Sequence, residues 1–505
     1  MGPSGSGKTT LLASLAHRFE PGLTYRGTIR YDGMAWREYP KLKRKIGFIP
    51  QDDVYPPMLT VREHLTFSAR LLLNGAVSAK VEEVISLLKL DGCADTQLGS
   101  AMMRGVSGGE RKRCMIANEL LSQPKILFCD EVTSGLDSAL SIVVIDVLRE
   151  LAEVKGLTVC TTIHQPSSAL FSKFMDLMVL DNGKLFYRGE AAKLIEWMAF
   201  TLNRPVPPLF NPVDFLMDLL VLHHDELDKD AATTALTLWN DDDAPGAAAV
   251  VAPGSAKPML FAQGSLLHVA GQDAYPEGHH EEYSAPMWLQ IKVLVQRMWK
   301  KNGKEIVTRQ LAVSNLSLMV IAGVLFWQIG WSSPSDAFRR TALCYWLIGT
   351  DMYLSTFASV FALHEDYAVL RKDLFDDLYS VLSYYVAKSL VVLPVSALWS
   401  LFYTTIIVLA TGVAPNAAAG AAIVFTLQLC VLMFQACGLA LSSLLPMANL
   451  VTGCVVLLTF FFAFAGFFAP PSSMLVWYAW LRYPVRFLST RAHARTRADR
   501  RGRSA

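Results

Sequence analysis

Gly2-Pro3-Ser4-Gly5-Ser6-Gly7-Lys8-Thr9 follows the spacing GxxxxGK[ST]. Glycines at these positions let successive backbone N–H groups turn into one concavity. The helix expected from Thr10 to Arg18 would add the positive potential of its N-terminus. Such a loop is built to hold a row of phosphates, with Gly2 through Thr10 as the cradle. Lys8 would neutralise the outer phosphates and Thr9 would hold Mg²⁺. Standing alone, the same letters make an ordinary Gly/Ser turn before a helix.

A second element supplies the missing acids. Lys125-Ile126-Leu127-Phe128-Cys129-Asp130-Glu131 is a short apolar run ending in two carboxylates, as expected of a buried parallel strand delivering them to its C-terminal edge. Asp130 would hold Mg²⁺ through water, and Glu131 would polarise the water that attacks the terminal phosphate. Strands ending in Asp-Glu are common. Lying downstream of a phosphate loop gives this one its weight.

Between the two stands Val106-Ser107-Gly108-Gly109-Glu110-Arg111-Lys112-Arg113, which resembles the signature of the ATP-binding cassette family. The resemblance implies that Ser107, Gly108 and Gly109 bind the γ-phosphate of an ATP held by a second cassette. Three more stretches match that family in order. Gln51, in Gly47-Phe48-Ile49-Pro50-Gln51, resembles the glutamine that touches Mg²⁺ and relays to the membrane domain. Ser134-Gly135-Leu136-Asp137 resembles the loop that crosses the dimer interface, with Asp137 at the nucleotide. His164, after a strand expected over Leu157 to Thr162, resembles the switch histidine on the γ-phosphate. Taken singly, the glutamine and the histidine read as satisfied structural side chains. In sequence order the six elements make one site.

Within that superfamily the match narrows to the ABCG, or White-type, half-transporters, which place the cassette ahead of the membrane helices. Gly105 to Ala117, Thr133 to Ser138, Thr162 to Ser167, Leu180 to Lys184 and Asn211 to Phe215 carry this resemblance. Two features depart from it. Val132 stands where the family has a proline that would fix φ, so the turn around Glu131 is expected to be looser. The sequence also opens one residue before the phosphate loop, so an N-terminally truncated cassette is expected, without the feeding strand and the adenine-stacking aromatic of the family.

The elements that must position these residues follow from composition. At 505 residues the chain has room for two or three domains. With 52% hydrophobic and only 18% charged residues it is too apolar for an ordinary soluble protein. Charges are frequent to about residue 310 and sparse from there to about 480, which separates a soluble half from a membrane half. The formal net charge of +2 gives no argument for nucleic acid as a partner. Eight cysteines without CxxC spacing read as small buried apolar residues.

Residues 1–220 are thus expected to form an α/β P-loop NTPase cassette. Residues 221–282 lack periodicity and read as a flexible linker, whose His223, His224, Asp225, His279 and His280 are solvated side chains rather than metal ligands. Residues 283–487 are expected to form an all-α polytopic transmembrane domain. Its first helix, Trp288 to Lys301, would carry Trp288, Ile291, Val295, Met298 and Trp299 on one face, at the membrane surface or against a core. Five apolar stretches of about bilayer length follow: Leu311 to Gly330, Thr341 to Leu363, Val381 to Thr411, Ala417 to Ser443 and Asn449 to Phe468.

His364 to Ser380, a charged segment with helical character, resembles the coupling element of the family, in which Arg371, Lys372, Asp373, Asp376 and Asp377 either dock on the cassette near Gln51 or stay solvated. Asp351 lies inside the second span, where a lone charge costs about 2.5 to 3.5 kcal/mol. It must face protein or water, in a substrate path or a structural hydrogen bond. Asn315, Gln428 and Gln435 are expected to bridge helices. Phe467 to Pro471 and Trp477 to Pro484 resemble the re-entrant region of the family, and the arginine-rich tail 488–505 is either an aberrant end or a basic segment on anionic lipid.

The resemblance implies a multi-pass membrane protein with a cytosolic cassette, binding ATP and Mg²⁺. It implies pairing with a second half-transporter, as homo- or heterodimer, and export of a hydrophobic small molecule or lipid through the membrane lipid. A membrane-tethered regulatory ATP-binding subunit, or a non-transporting fragment, is the rival reading.

Overall fold

The computed structural model describes residues 1–18, 29–31, 34–35, 45–73, 75–100, 103–208, 210–222, 283–302, 309–331 and 333–464. The expected linker, its histidines, the re-entrant region and the basic tail lie outside the described residues. Two compact units are present. One comprises Met1–Leu289 with Lys372–Ser380, the other Gln290–Arg371 with Val381–Ala505.

The first unit is α/β. Helix α1 (Lys8–Leu15) follows the glycine loop; β1 (Arg30–Tyr31) and β2 (Met34–Ala35) pair antiparallel; β3 (Ile46–Ile49) leads to α2 (Val61–Leu72) and α3 (Val77–Leu87). Then come α4 (Gly108–Leu120), β4 (Ile126–Cys129), α5 (Ser138–Lys155), β5 (Thr158–Thr161) and α6 (Ser168–Phe171). The hairpin β6 (Asp176–Asp181) and β7 (Lys184–Glu190), α7 (Leu194–Phe200) and α8 (Pro212–Leu222) complete the unit.

Strands β3, β4 and β5 form a parallel sheet in the order β3-β4-β5, with Ile49 opposite Cys129 and Cys129 opposite Thr161. All three therefore end at one edge. Their apolar residues are covered by helices, as both faces of a parallel sheet require: Ile49, Leu127, Phe128 and Cys129 are inaccessible or nearly so. Cys93, Cys114 and Cys129 are buried free thiols, in keeping with their reading as small apolar residues.

Side-chain caps start several helices of this unit. Thr60 and Ser107 each form a reciprocal capping box with the glutamate three residues on, at α2 and α4, and Asp137 caps α5.

The second unit is helical: α9 (Met287–Asn302), whose first three residues belong to the first unit, then α10 (Arg309–Leu325), α11 (Pro334–Phe375), α12 (Val381–Thr411), α13 (Ala417–Leu444) and α14 (Met447–Phe464). Among the described residues three helices, α11, α12 and α13, are long and apolar enough to cross a membrane. Among the described residues α10 and α14 add the apolar segments Asn315–Leu325 and Ala448–Phe461. Val320, Val324, Leu398, Leu409 and Phe425 point outward, as helices solvated by lipid allow.

Inside the bundle small residues let helices approach. A Cβ on Gly438 of α13 would lie 2.7 Å from the Thr356 carbonyl of α11, so only glycine fits there. Asp366 of α11 ties α9 and α12 together, accepting from Lys301 at 2.6 Å and from Lys388 at 2.5 Å.

The second span and the charged segment of helical character after it are one helix, α11, as far as Phe375. On α9 the buried face is Gln290, Val293, Leu294, Arg297 and Met298, with Trp288 and Trp299 exposed. Exposed Trp288 and Trp299 fit a helix at the membrane surface rather than one turned into a core, and buried Gln290 accepts a hydrogen bond from Ser383 at 2.7 Å. Gln435 bridges nothing: it is fully buried and neither amide atom has a hydrogen-bond partner, whereas the Gln428 amide lies 3.1 Å from the Ser400 hydroxyl.

Candidate active site

The common C-terminal edge of β3, β4 and β5 explains why residues far apart in sequence meet. One to three residues past that edge the chain releases Gln51, the pair Asp130 and Glu131, and Thr162 with His164. In an open parallel sheet this edge is where ligands bind.

The glycine loop keeps the conformation its sequence calls for. Gly2, Gly5 and Gly7 have φ of 150°, 79° and 91°, all in the region that favours glycine. A Cβ on Gly2 would lie 2.2 Å from the Leu180 carbonyl. The loop is moored to β6, because the Met1 nitrogen donates to the Met178 carbonyl at 2.6 Å and Leu180 N–H donates to the Met1 carbonyl at 2.9 Å.

The Lys8 ammonium donates to the carbonyls of Gly2 and Pro3, both at 2.9 Å, curled into its own loop. Burial pushes its pKa down, and the carboxylates of Glu131 and Asp130 pull it back up. The Ser6 hydroxyl is buried without a partner. A buried donor left unpaired costs about 1–3 kcal/mol, and an oxyanion in the loop would satisfy it. Phosphate therefore fits these residues.

The acids are held from the neighbouring strand. Thr162 Oγ1 donates to Asp130 Oδ1 at 2.6 Å and accepts from Glu131 N–H at 2.9 Å. Gln51 Nε2 donates to Glu131 Oε2 at 2.9 Å, which leaves the amide oxygen of Gln51 for another partner. The His164 Nε2 and Ser4 Oγ atoms are 2.9 Å apart, so the histidine reaches the phosphate loop.

Val132 does not loosen the turn. It is fully buried in the core, and Glu131, at φ 46°, is fastened on both sides, its carbonyl accepting from Ser134 N–H at 2.9 Å.

Ser107 and Asp137 are elsewhere engaged. The Ser107 hydroxyl donates to Glu110 at 2.8 Å and Asp137 accepts from Leu140 N–H at 2.8 Å, each at the start of its own helix. Glu110 accepts the Ser107 N–H at 2.8 Å, and this bond holds its carboxyl below the usual range. Ser107 is exposed and Gly108 and Gly109 begin α4 beside it, packed against Leu136 and Leu140. Thr9 and Thr10, at the start of α1, are also exposed.

Two residues go unnoticed in the sequence. Lys112 on α4 is buried, donating to the Gln51 carbonyl at 2.6 Å and pairing with Asp53 at 2.9 Å. It fixes the loop that carries Gln51. Its place three and four residues from Gly109 and Gly108, on their buried face, is the signal that could have found it. Thr162 is visible only once the β4–β5 register is known.

The charged segment docks within the first unit. Lys372 donates to Glu119 of α4 at 2.8 Å and to Asp376 at 3.0 Å, and Arg18 pairs with Asp376. Glu119 also accepts the Phe48 N–H at 3.3 Å, in the strand that ends just before Gln51. The Arg18 guanidinium lies 4.6 Å from the centre of the Phe48 ring. Lys372 and Asp376 thus meet the foot of the Gln51 strand.

A glycine loop before a helix, acids on the adjoining strand edge and a long-helix bundle after it define an ABC transporter. The ABC transporter family profile matches residues 1–134, and that of the ABC-2 type transporter matches residues 289–485. ABC transporter G family member 22 of Arabidopsis thaliana is 32% identical, over 96% of this chain and 66% of its own length. Member 21 from the same plant is 30% identical, over 96% and 72%. The broad substrate specificity ATP-binding cassette transporter ABCG2 of Sus scrofa is 28% identical, over 96% and 75%. The chain spans about two thirds to three quarters of the length of these relatives. It belongs to the ABC transporter G family, as a multi-pass membrane protein with an ATP-hydrolysing cassette.

Proposed function

We propose that the chain is a half-transporter. It pairs with a second copy or another G-family chain and exports a hydrophobic or amphipathic compound, with the cassette (residues 1–220) cytosolic, a connector (221–282) and a membrane domain (283–487). One observation carries the reading: Lys8, Gln51, Asp130, Glu131 and His164 gather at one edge, while Ser107 stands exposed and bonded within its own helix. A site lacking its signature in cis is completed by a second cassette in trans.

The residues divide the work. The amides of Gly2 to Thr10 and the Lys8 ammonium receive the β- and γ-phosphates, releasing Lys8 from its own carbonyls. Glu131, aimed by Gln51 and fastened through Thr162, accepts the proton of the attacking water. His164 stands beside Ser4 where the γ-phosphate would lie. The Thr9 hydroxyl, the Asp130 carboxylate and the free oxygen of Gln51 are hard oxygen donors suited to Mg²⁺, which when bound draws charge from the phosphates. Ser107, Gly108, Gly109 and Asp137 face the γ-phosphate of the partner cassette. Closing of the pair moves the Gln51 strand, and through Glu119 and Arg18 the segment at Lys372 and Asp376.

The test is uptake into inside-out vesicles holding the full chain with any partner it requires. ATP and Mg²⁺ should drive accumulation of a hydrophobic tracer, and a non-hydrolysable analogue should not. ATP hydrolysis without ATP-driven accumulation of any of a panel of hydrophobic tracers would count against export.

A further inference from the structure

Within the helical unit is a cavity of about 350 Å³ walled by α10, α11, α12 and α13. Its walls are apolar and aromatic, with Val391 and Val395 on one side and Phe361 and Trp399 among the rings. The charged residues lining it are Asp351 and Glu365, both acids. Asp351 is 4% exposed; its Oδ1 accepts from Ser400 Oγ at 3.0 Å, and its Oδ2 is shut from solvent without a hydrogen-bond partner.

An acceptor left alone in a mainly apolar wall is costly, and an ammonium brought by a ligand removes that cost once the Asp351 side chain turns Oδ2 toward the cavity. The rings add attraction for a cation, and a cavity of this volume admits a body of two small rings. We propose that this cavity binds amphipathic amines in their protonated form, the ammonium on Asp351 and the apolar body between the valines and Trp399. The inference deepens the transport reading, on which it rests for its physiological meaning: it makes organic cations the cargo class. Among the described residues no basic group lines the cavity, so anions of the same shape are disfavoured.

Equilibrium dialysis of the full chain in nanodiscs, with empty nanodiscs subtracted, tests it without ATP. The probes are 4,4-diphenylbutylamine, the neutral 4,4-diphenylbutanol and the anion 4,4-diphenylbutanoate. The amine should bind about tenfold or more tightly than the alcohol, from a charge-assisted hydrogen bond, and the anion weakest. Asp351→Asn should bring amine and alcohol to the same affinity. Val395→Phe, which fills the cavity and keeps the carboxylate, should weaken both probes about tenfold. Equal binding of amine and alcohol by the unaltered chain overturns the proposal, even if Asp351→Asn does not fold. An amine preference that survives Asp351→Asn, or binding of both probes undiminished in Val395→Phe, overturns it as well. Amine binding that holds while ATP-driven uptake fails would sink the transport reading and leave this site standing.

Discussion

Asp130 and Asp351 are both buried aspartates, 2% and 4% exposed, and each accepts a hydrogen bond from a hydroxyl on a neighbouring element. Asp130 is placed by a ladder. The β4–β5 register sets Thr162 beside it, and the strand edge sets Glu131, Gln51 and the phosphate loop around it. Asp351 is placed by side-chain packing between helices, with no ladder to set its distance from Ser400. Backbone pairing writes a site into sequence as motifs at strand ends. Packing leaves only a lone polar letter in an apolar run.

The largest effect is expected on the ladder side. Glu131→Gln should lower ATP turnover by about 10²–10⁴-fold while nucleotide binding is kept, as read by phosphate release and by filter binding. Turnover near the unaltered rate would remove Glu131 from the chemistry and break the contrast at its stronger end. Next comes the buried charge cluster. Lys372→Met strands Glu119 and should destabilise the first unit by about 3–5 kcal/mol, seen in denaturant unfolding of the full chain in detergent. Adding Glu119→Gln should recover most of that loss.

On the packing side, Gly438→Val pushes a side chain onto the Thr356 carbonyl and should cost about 1–3 kcal/mol, measured as thermal stability in detergent. An unchanged transition would mean that α11 and α13 do not approach so closely. The smallest effect sharpens the capping of α4. The folded pKa of Glu110 is depressed by the Ser107 N–H, so its stabilisation is full above the ordinary carboxylate pKa. It is lost as pH falls through the folded value. With solvent screening, Glu110→Gln should cost about 0.5 kcal/mol at neutral pH and nothing at the acid end, as unfolding at several pH values would show.

The same contrast explains what the sequence could and could not convey. The phosphate loop, the acidic strand end, Gln51 and His164 were legible because each is a short motif tied to a strand or helix end. Thr162 and Lys112 were not, since one needs the strand register and the other the inward face of α4. The helix runs on past Leu363 because His364 to Phe375 contains no glycine or proline, and its charged residues keep helical propensity while ending the apolar pattern. The inward face of α9 was not legible, because an apolar pattern cannot foresee that buried Gln290 finds Ser383.

The account stands or falls on a nucleotide site shared between two chains, and mixing two defective variants tests that most directly. Lys8→Ala alone and Ser107→Arg alone should each abolish ATP hydrolysis, because every site in either pair is damaged. Co-assembled, they concentrate both lesions in one site and leave the other intact, so hydrolysis should return to a substantial fraction of the unaltered rate. If the co-purified mixed pair hydrolyses no more than the two variants measured apart, the signature does not serve the opposite loop, and the shared site is wrong.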